Sequence, residues 1–261
     1  MQVQVPTPSL PKPTRSKQFR WRTALNTPFA HPRTGVGDRA AFDAGLRQHM
    51  LAIYNNMGLG LVVTGLVAFL VASSPALTAL IFGTPLKWVA MFAPLAFVFF
   101  LSFRIERMSV GSARLAFFAF AAVMGVSMAS IFLVFTGASI ARTFFIASAM
   151  FLSVSLWGYT TKRDLTKVST FLFMGLIGVV IASIVNIFLA SSALQMVVSL
   201  VGVLVFTGLT AWDTQRAKSD YLHYAGTPHA EKLGIMGALS LYLNFVNLFQ
   251  LLLTFTGQRE E

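Results

Sequence analysis

Cysteine is absent from all 261 residues, which removes disulfides, thiolate metal ligands and cysteine nucleophiles together. Charge is scarce as well: Asp, Glu, Lys and Arg make up 11% of the chain, against about 25% in an ordinary soluble domain. Acids are scarcest, with nine Asp and Glu against twenty Lys and Arg. A water-soluble fold is therefore excluded as the main architecture. What fills the chain instead is apolar, 56% hydrophobic with a mean hydropathy of +0.70. A spanning helix takes about 20 residues, so seven would use about 140 positions, in line with that fraction.

The net charge of +11 raises the possibility of nucleic acid, but its placement argues against such a partner. Eight basic residues (Lys12, Arg15, Lys17, Arg20, Arg22, Arg33, Arg39 and Arg47) fall in the first 50, opposed only by Asp38 and Asp43. That stretch is polar, rich in proline and without hydrophobic period. Residues 1–48 are accordingly expected to form a disordered basic cytoplasmic arm, and residues 49–257 the membrane domain. No apolar segment precedes residue 50, so no cleavable signal peptide is expected.

Apolar runs occupy about 51–72, 88–103, 115–135, 143–161, 168–189, 193–212 and 234–256, and none carries a charged residue or histidine. In hydrocarbon only a helix or a closed barrel satisfies the backbone, and these runs lack strand alternation. The expected fold is an all-α integral membrane protein, a seven-transmembrane-helix bundle. Short connections at 137–142 and 190–192 make consecutive helices antiparallel neighbours. Alternate loops differ sharply in basic residues. The side that includes the N-terminal arm holds 17 Lys and Arg; the other holds Lys87, Arg142 and Arg259. This places the N-terminus in the cytoplasm and the C-terminus outside. Small residues four apart, Gly125 with Ala129 and Gly178 with Ala182, are expected at close helix contacts.

Polar groups inside a span are costly unless paired or wetted, so they point to sites. The sixth run continues through Asp213 toward Ser219, which makes Asp213 the deepest acid in the chain. On the seventh, at about 100° per residue, Ser240, Asn244, Asn247, Gln250 and Thr254 share one face. Such a stripe is expected to face the bundle, with its amides bonded to neighbouring helices or water.

Three segments carry a resemblance: Asp213-Thr214-Gln215, the run from Leu241 through Leu253, and Phe173-Met174-Gly175-Leu176-Ile177-Gly178. Together they resemble the Bax inhibitor-1 family, also called the transmembrane Bax-inhibitor-motif proteins, over roughly residues 46–257, and bacterial members in particular. The resemblance implies a seven-helix bundle with the last helix in the centre, in a bacterial inner membrane. It also implies a pH-sensitive calcium leak, closed by an aspartate pair across the sixth and seventh helices. One member of the pair falls on Asp213. The other falls on Asn244, which is no acid. Two close carboxylates share a proton and so sense pH, whereas an amide donates a hydrogen bond at any pH. One carboxylate is also a thin cage for calcium, which takes about 6–8 oxygen ligands. Weakened pH gating follows. An arginine near the second helix is implied beside the pair, a role assigned to Arg104, with Arg107 and Arg216 as alternatives.

A regulator that binds a membrane protease of the FtsH type, as some bacterial relatives do, is the competing function, with the basic arm as its contact. Calcium or protons are the candidate permeant ions and the bilayer is the constant partner. Catalysis, a metal centre and a cofactor are not expected: His31, His49, His223 and His229 all lie outside the apolar runs, and every lysine is in a loop or the arm.

Overall fold

The computed structural model describes residues 36–258, and the expectation of disorder for residues 1–35 lies outside them. Helix α1 runs Val36–Ala72, α2 Pro75–Phe82, α3 Leu86–Arg104, α4 Val110–Met128, α5 Ile131–Val134, α6 Gly137–Thr160, α7 Thr166–Leu189, α8 Ser192–Tyr224 and α9 Pro228–Thr256. Seven stretches are long and apolar enough to cross a membrane: one each in α1, α3, α6, α7, α8 and α9, and one formed by α4 with α5. The protein is an all-α, seven-helix membrane protein. Hydroxyl side chains set several of the boundaries. Ser74, Ser109, Thr136, Ser191 and Thr227 each accept a backbone N–H at the start of α2, α4, α6, α8 and α9, satisfying donors that a helix leaves open at its N-terminus.

The helices outrun the apolar runs. α1 is helical from Val36, so residues 36–48 belong to a helix rather than to an irregular arm. Arg47, His49 and Arg142 fall within helical spans instead of loops, because a helix ends where its caps are and not where its hydrophobicity stops. α8 likewise continues to Tyr224, five residues past the expected end, and leaves Asp213 about three turns from its C-terminus. The third span is interrupted at Ala129 and Ser130, where bonds to the third residue back (Phe132 N–H to Ala129, Leu133 N–H to Ser130) replace the α-helical ladder.

The exterior is as apolar as the interior, since large residues such as Phe103, Phe188 and Leu115 face outward while others such as Phe117, Phe120 and Leu241 fill the core, with a few small polar residues among them. α9 is the most enclosed span, with 56% of its most apolar stretch buried, while α7 has 6%. α9 packs on α8, α6 and α4, and Tyr242 ties it to Thr64 of α1. α7 packs chiefly on α8.

The small-residue expectation divides. Gly125 is needed, because a methyl there would lie 2.7 Å from the Thr64 carbonyl oxygen. Gly178 is not at an interface: it faces outward with nothing within 4 Å of an added Cβ. The tightest approach between the backbones of two helices involves a residue that the spacing did not mark, Gly158, whose added methyl would strike the Ala211 carbonyl and lie 2.8 Å from its Cα. Gly158→Ala should therefore push α6 from α8 and cost about 1–3 kcal/mol of stability, whereas Gly178→Ala should be neutral or slightly stabilising. Thermal unfolding of the two variants in detergent checks the contrast.

Candidate functional site

One turn of α8, Asp213-Thr214-Gln215, sends three side chains to three different elements. Asp213 turns to α9, where Asn244 Nδ2 donates to its Oδ2 at 2.7 Å. Both residues are buried, at 8% and 5% exposure, so each removes a polar cost that the other would carry alone. The second carboxylate oxygen, Oδ1, lies 3.9 Å from Arg216 Nη1, an electrostatic neighbour beyond hydrogen-bond length. Arg216 is nearly half exposed; it also approaches Asp220 at 3.8 Å and lies over the Trp212 ring. The short bond at Asp213 thus comes from the amide.

Thr214 turns to α6. Its hydroxyl donates to the Thr210 carbonyl and lies 2.9 Å from Ser155 Oγ, which in turn meets the Tyr54 hydroxyl of α1. Each hydroxyl has one proton, and the carbonyl takes that of Thr214. Ser155 must then donate to Thr214 and Tyr54 to Ser155, giving a one-way chain that joins α1, α6 and α8. Gln215 turns to the connection between α6 and α7. Its Nε2 donates to the Arg163 carbonyl at 2.8 Å and its Oε1 accepts from Leu165 N–H at 2.9 Å. In the same loop Asp164 accepts the Thr166 N–H at 2.9 Å, and that backbone bond holds its exposed carboxyl below the usual range.

Aromatic packing flanks the pair along α9. Phe245, next to Asn244, meets Phe144 and Phe151 edge to face at 5.6 Å. Tyr242 lies between Phe117 and Phe120, each at 5.7 Å. The Tyr242 hydroxyl and Thr64 Oγ1 are 2.6 Å apart. Thr64 uses its own proton on a carbonyl, that of Ala121 at 2.8 Å or of Gly60, so Tyr242 is the donor.

The expected stripe on α9 is only partly an interhelical surface. Asn244 is the member that crosses to another helix. Asn247 donates to the Leu243 carbonyl of its own helix, and Thr254 does the same with Gln250. Ser240 is half-buried. Gln250 and Thr254 line a cavity of about 550 Å³ together with Lys87, Ser127 and Ser130, at the end of the bundle opposite Asp213. Arg104 does not take the role assigned to it. It is exposed at the end of α3, and among the described residues the ion pair to Asp213 comes from Arg216. A neighbour one turn along the same helix is held in reach by the backbone itself, which an arginine on another helix is not. Hydropathy does not mark Tyr54, Ser155, Thr214, Gln215, Thr64 or Tyr242, because hydroxyls and a single amide barely disturb an apolar run; the Asp-Thr-Gln motif was the available signal for two of them. Among the described residues no three His, Asp or Glu side chains gather where they could hold a metal ion.

A seven-helix membrane bundle whose sixth and seventh spans meet through a buried polar pair is the class that these features define. The family model described as inhibitor of apoptosis-promoting Bax1 matches residues 46–261, and the chain belongs to this family, Bax inhibitor-1. It is similar to a Rickettsia prowazekii protein, 44% identical over 228 residues, covering 87% of this chain and 97% of that one. A Caulobacter vibrioides protein is 43% identical over 243 residues, 88% of this chain and 97% of the relative. The Escherichia coli K12 inner membrane protein YbhL is 44% identical over 219 residues, 83% and 94% of the two chains.

Gln215→Ala should release the 161–165 connection while leaving the Asp213–Asn244 bond on the other face of α8. Amide exchange in that loop should quicken by about tenfold, the worth of one to two hydrogen bonds, with exchange around Asp213 unchanged; hydrogen–deuterium exchange mass spectrometry measures both.

Proposed function

We propose that the protein is a cation leak pathway of a bacterial inner membrane, with calcium as the candidate permeant ion, closed in this conformation by the bond between Asn244 and Asp213. That bond carries the reading. It joins the two helices of the implied gate at 2.7 Å, in a buried position flanked by aromatic packing. The name of the E. coli relative supports the inner membrane, and the excess of basic residues on one side supports a cytoplasmic N-terminus and an outer C-terminus.

The chemistry of the pair explains why gating by protons is weak here. A neutral amide has no proton to gain or lose across the physiological range, so it keeps donating to Asp213 at any pH. A carboxylate in its place would repel Asp213 until one of the two took up a proton. Arg216 adds a cation on the cytoplasmic flank of Asp213, where it competes with an arriving ion. One carboxylate and one amide supply too few oxygens to hold calcium firmly, which suits passage better than storage.

Asn244→Asp should convert a low, nearly pH-independent calcium flux into one that changes across about pH 5–8, the range in which a coupled carboxylate pair titrates. Asp213→Ala should raise flux at every pH by removing the acceptor that holds α9. Dye-loaded liposomes containing the purified protein report both, and fluxes equal to the parent at every pH would remove the pair from any gate.

The eight basic residues among the first 50 favour a second role, in which the protein regulates a membrane protease of the FtsH type by binding it. Deletion of residues 1–45 should then abolish co-purification with the protease and leave the leak intact.

A further inference from the structure

A crevice of about 390 Å³ runs between α1 and α6 on the membrane-facing surface of the bundle. Its walls are Leu51, Leu152 and Leu156, which are 49%, 61% and 64% exposed, and its floor holds Tyr54 and Ser155. At one end stand Arg47 and Tyr159. Among the described residues no carboxylate pairs with Arg47, although Arg216 has two acids within 4.0 Å. Lys218 lies 4.8 Å from the Tyr159 ring and donates to its carbonyl, adding a second cation behind that end. The crevice is thus apolar along its length and positive at its mouth.

We propose that this crevice is a binding site for one anionic phospholipid, with the phosphate at Arg47 and an acyl chain along Leu51, Leu152 and Leu156. Three properties carry the assignment. The walls face the bilayer, so an acyl chain reaches them without desolvating anything polar. An arginine near the end of a span presents a planar fork of donors that fits a phosphate. Asp43 lies one turn back on α1, but among the described residues no carboxylate comes within 4.0 Å of Arg47, which leaves that charge open to a partner from outside the protein. A zwitterionic lipid brings its own cation to the same place, so the site should discriminate by net headgroup charge. Tyr54 on the floor begins the hydroxyl chain to Thr214, which puts the lipid at the outer end of the network holding the Asp213 turn.

Native mass spectrometry of the full chain, titrated with phosphatidylglycerol or phosphatidylcholine of equal chain length, tests the site. The parent protein should retain the anionic lipid about fivefold better, the factor that one basic residue near an anionic surface is worth. Arg47→Gln should erase the preference, Arg47→Lys should keep most of it, and Arg114→Gln, on another face, should keep it fully. Leu152→Trp, at an exposed position, should fill the groove and lower retention of both lipids. Equal retention by the parent, a preference surviving Arg47→Gln, or unchanged retention in Leu152→Trp would each overturn the proposal. Because the chain has no cysteine, Leu152→Cys places a single thiol in the crevice. Disulfide-linked pairs of that variant in native membranes would show a second copy there, and would overturn it as well.

Discussion

A carboxylate in the interior of a membrane protein must find a donor, and the position of Asp213 on α8 makes that requirement the organising constraint of this fold. Nothing in the surrounding apolar packing could meet it. The donor comes from Asn244 on α9, so the sixth and seventh spans are fixed to one another in register as well as in distance. Leucines that pack along two helices tolerate sliding; a single amide–carboxylate bond does not. The aromatic layer of Phe144, Phe151, Phe245 and Tyr242 then builds on a helix whose height is already set.

The same turn of α8 extends the constraint outward. Thr214 reaches the α6 and α1 hydroxyls, and Gln215 reaches the backbone of the next connection. Three consecutive residues on a helix point in directions about 100° apart, so a tripeptide of polar residues can address three neighbours with no bend in the helix. That geometry gives the Asp-Thr-Gln motif a physical meaning. It is a distribution point for hydrogen bonds, and in a medium that offers none it does more to specify the arrangement of helices than apolar contact can, because lipid tails compete equally for apolar surface.

Much of this was legible in the residues. The seven runs, the depth of Asp213 and the polar face that carries Asn244 follow from hydropathy and helix length, while the pairing of Asp213 with Asn244 is implied by the family resemblance. The helix ends were less legible, since a charged residue such as Arg47 or Arg142 stops a hydropathy run without stopping the helix, and caps such as Ser109 and Thr136 decide where it begins. Arg104, Arg107 and Arg216 are not told apart by the positive-inside rule, which describes which side a residue occupies and says nothing of its reach. Gly178 and Gly158 show the same limit from another direction: a spacing of small residues marks where two backbones can approach, and only the packing determines which of them do. Hydroxyl partnerships such as Tyr242 with Thr64 leave almost no trace in a sequence, for they join positions 178 residues apart.

The near-complete exposure of α7 has a consequence of its own. Its contacts are mostly with α8, and its 24 residues extend about 36 Å against a hydrocarbon layer of about 30 Å. A helix of that length spans with room for inclination, and its inclination is set by the neighbour it packs on. For the fifth span that neighbour is α8, so the outermost helix of the bundle takes its orientation from the same helix that carries Asp213.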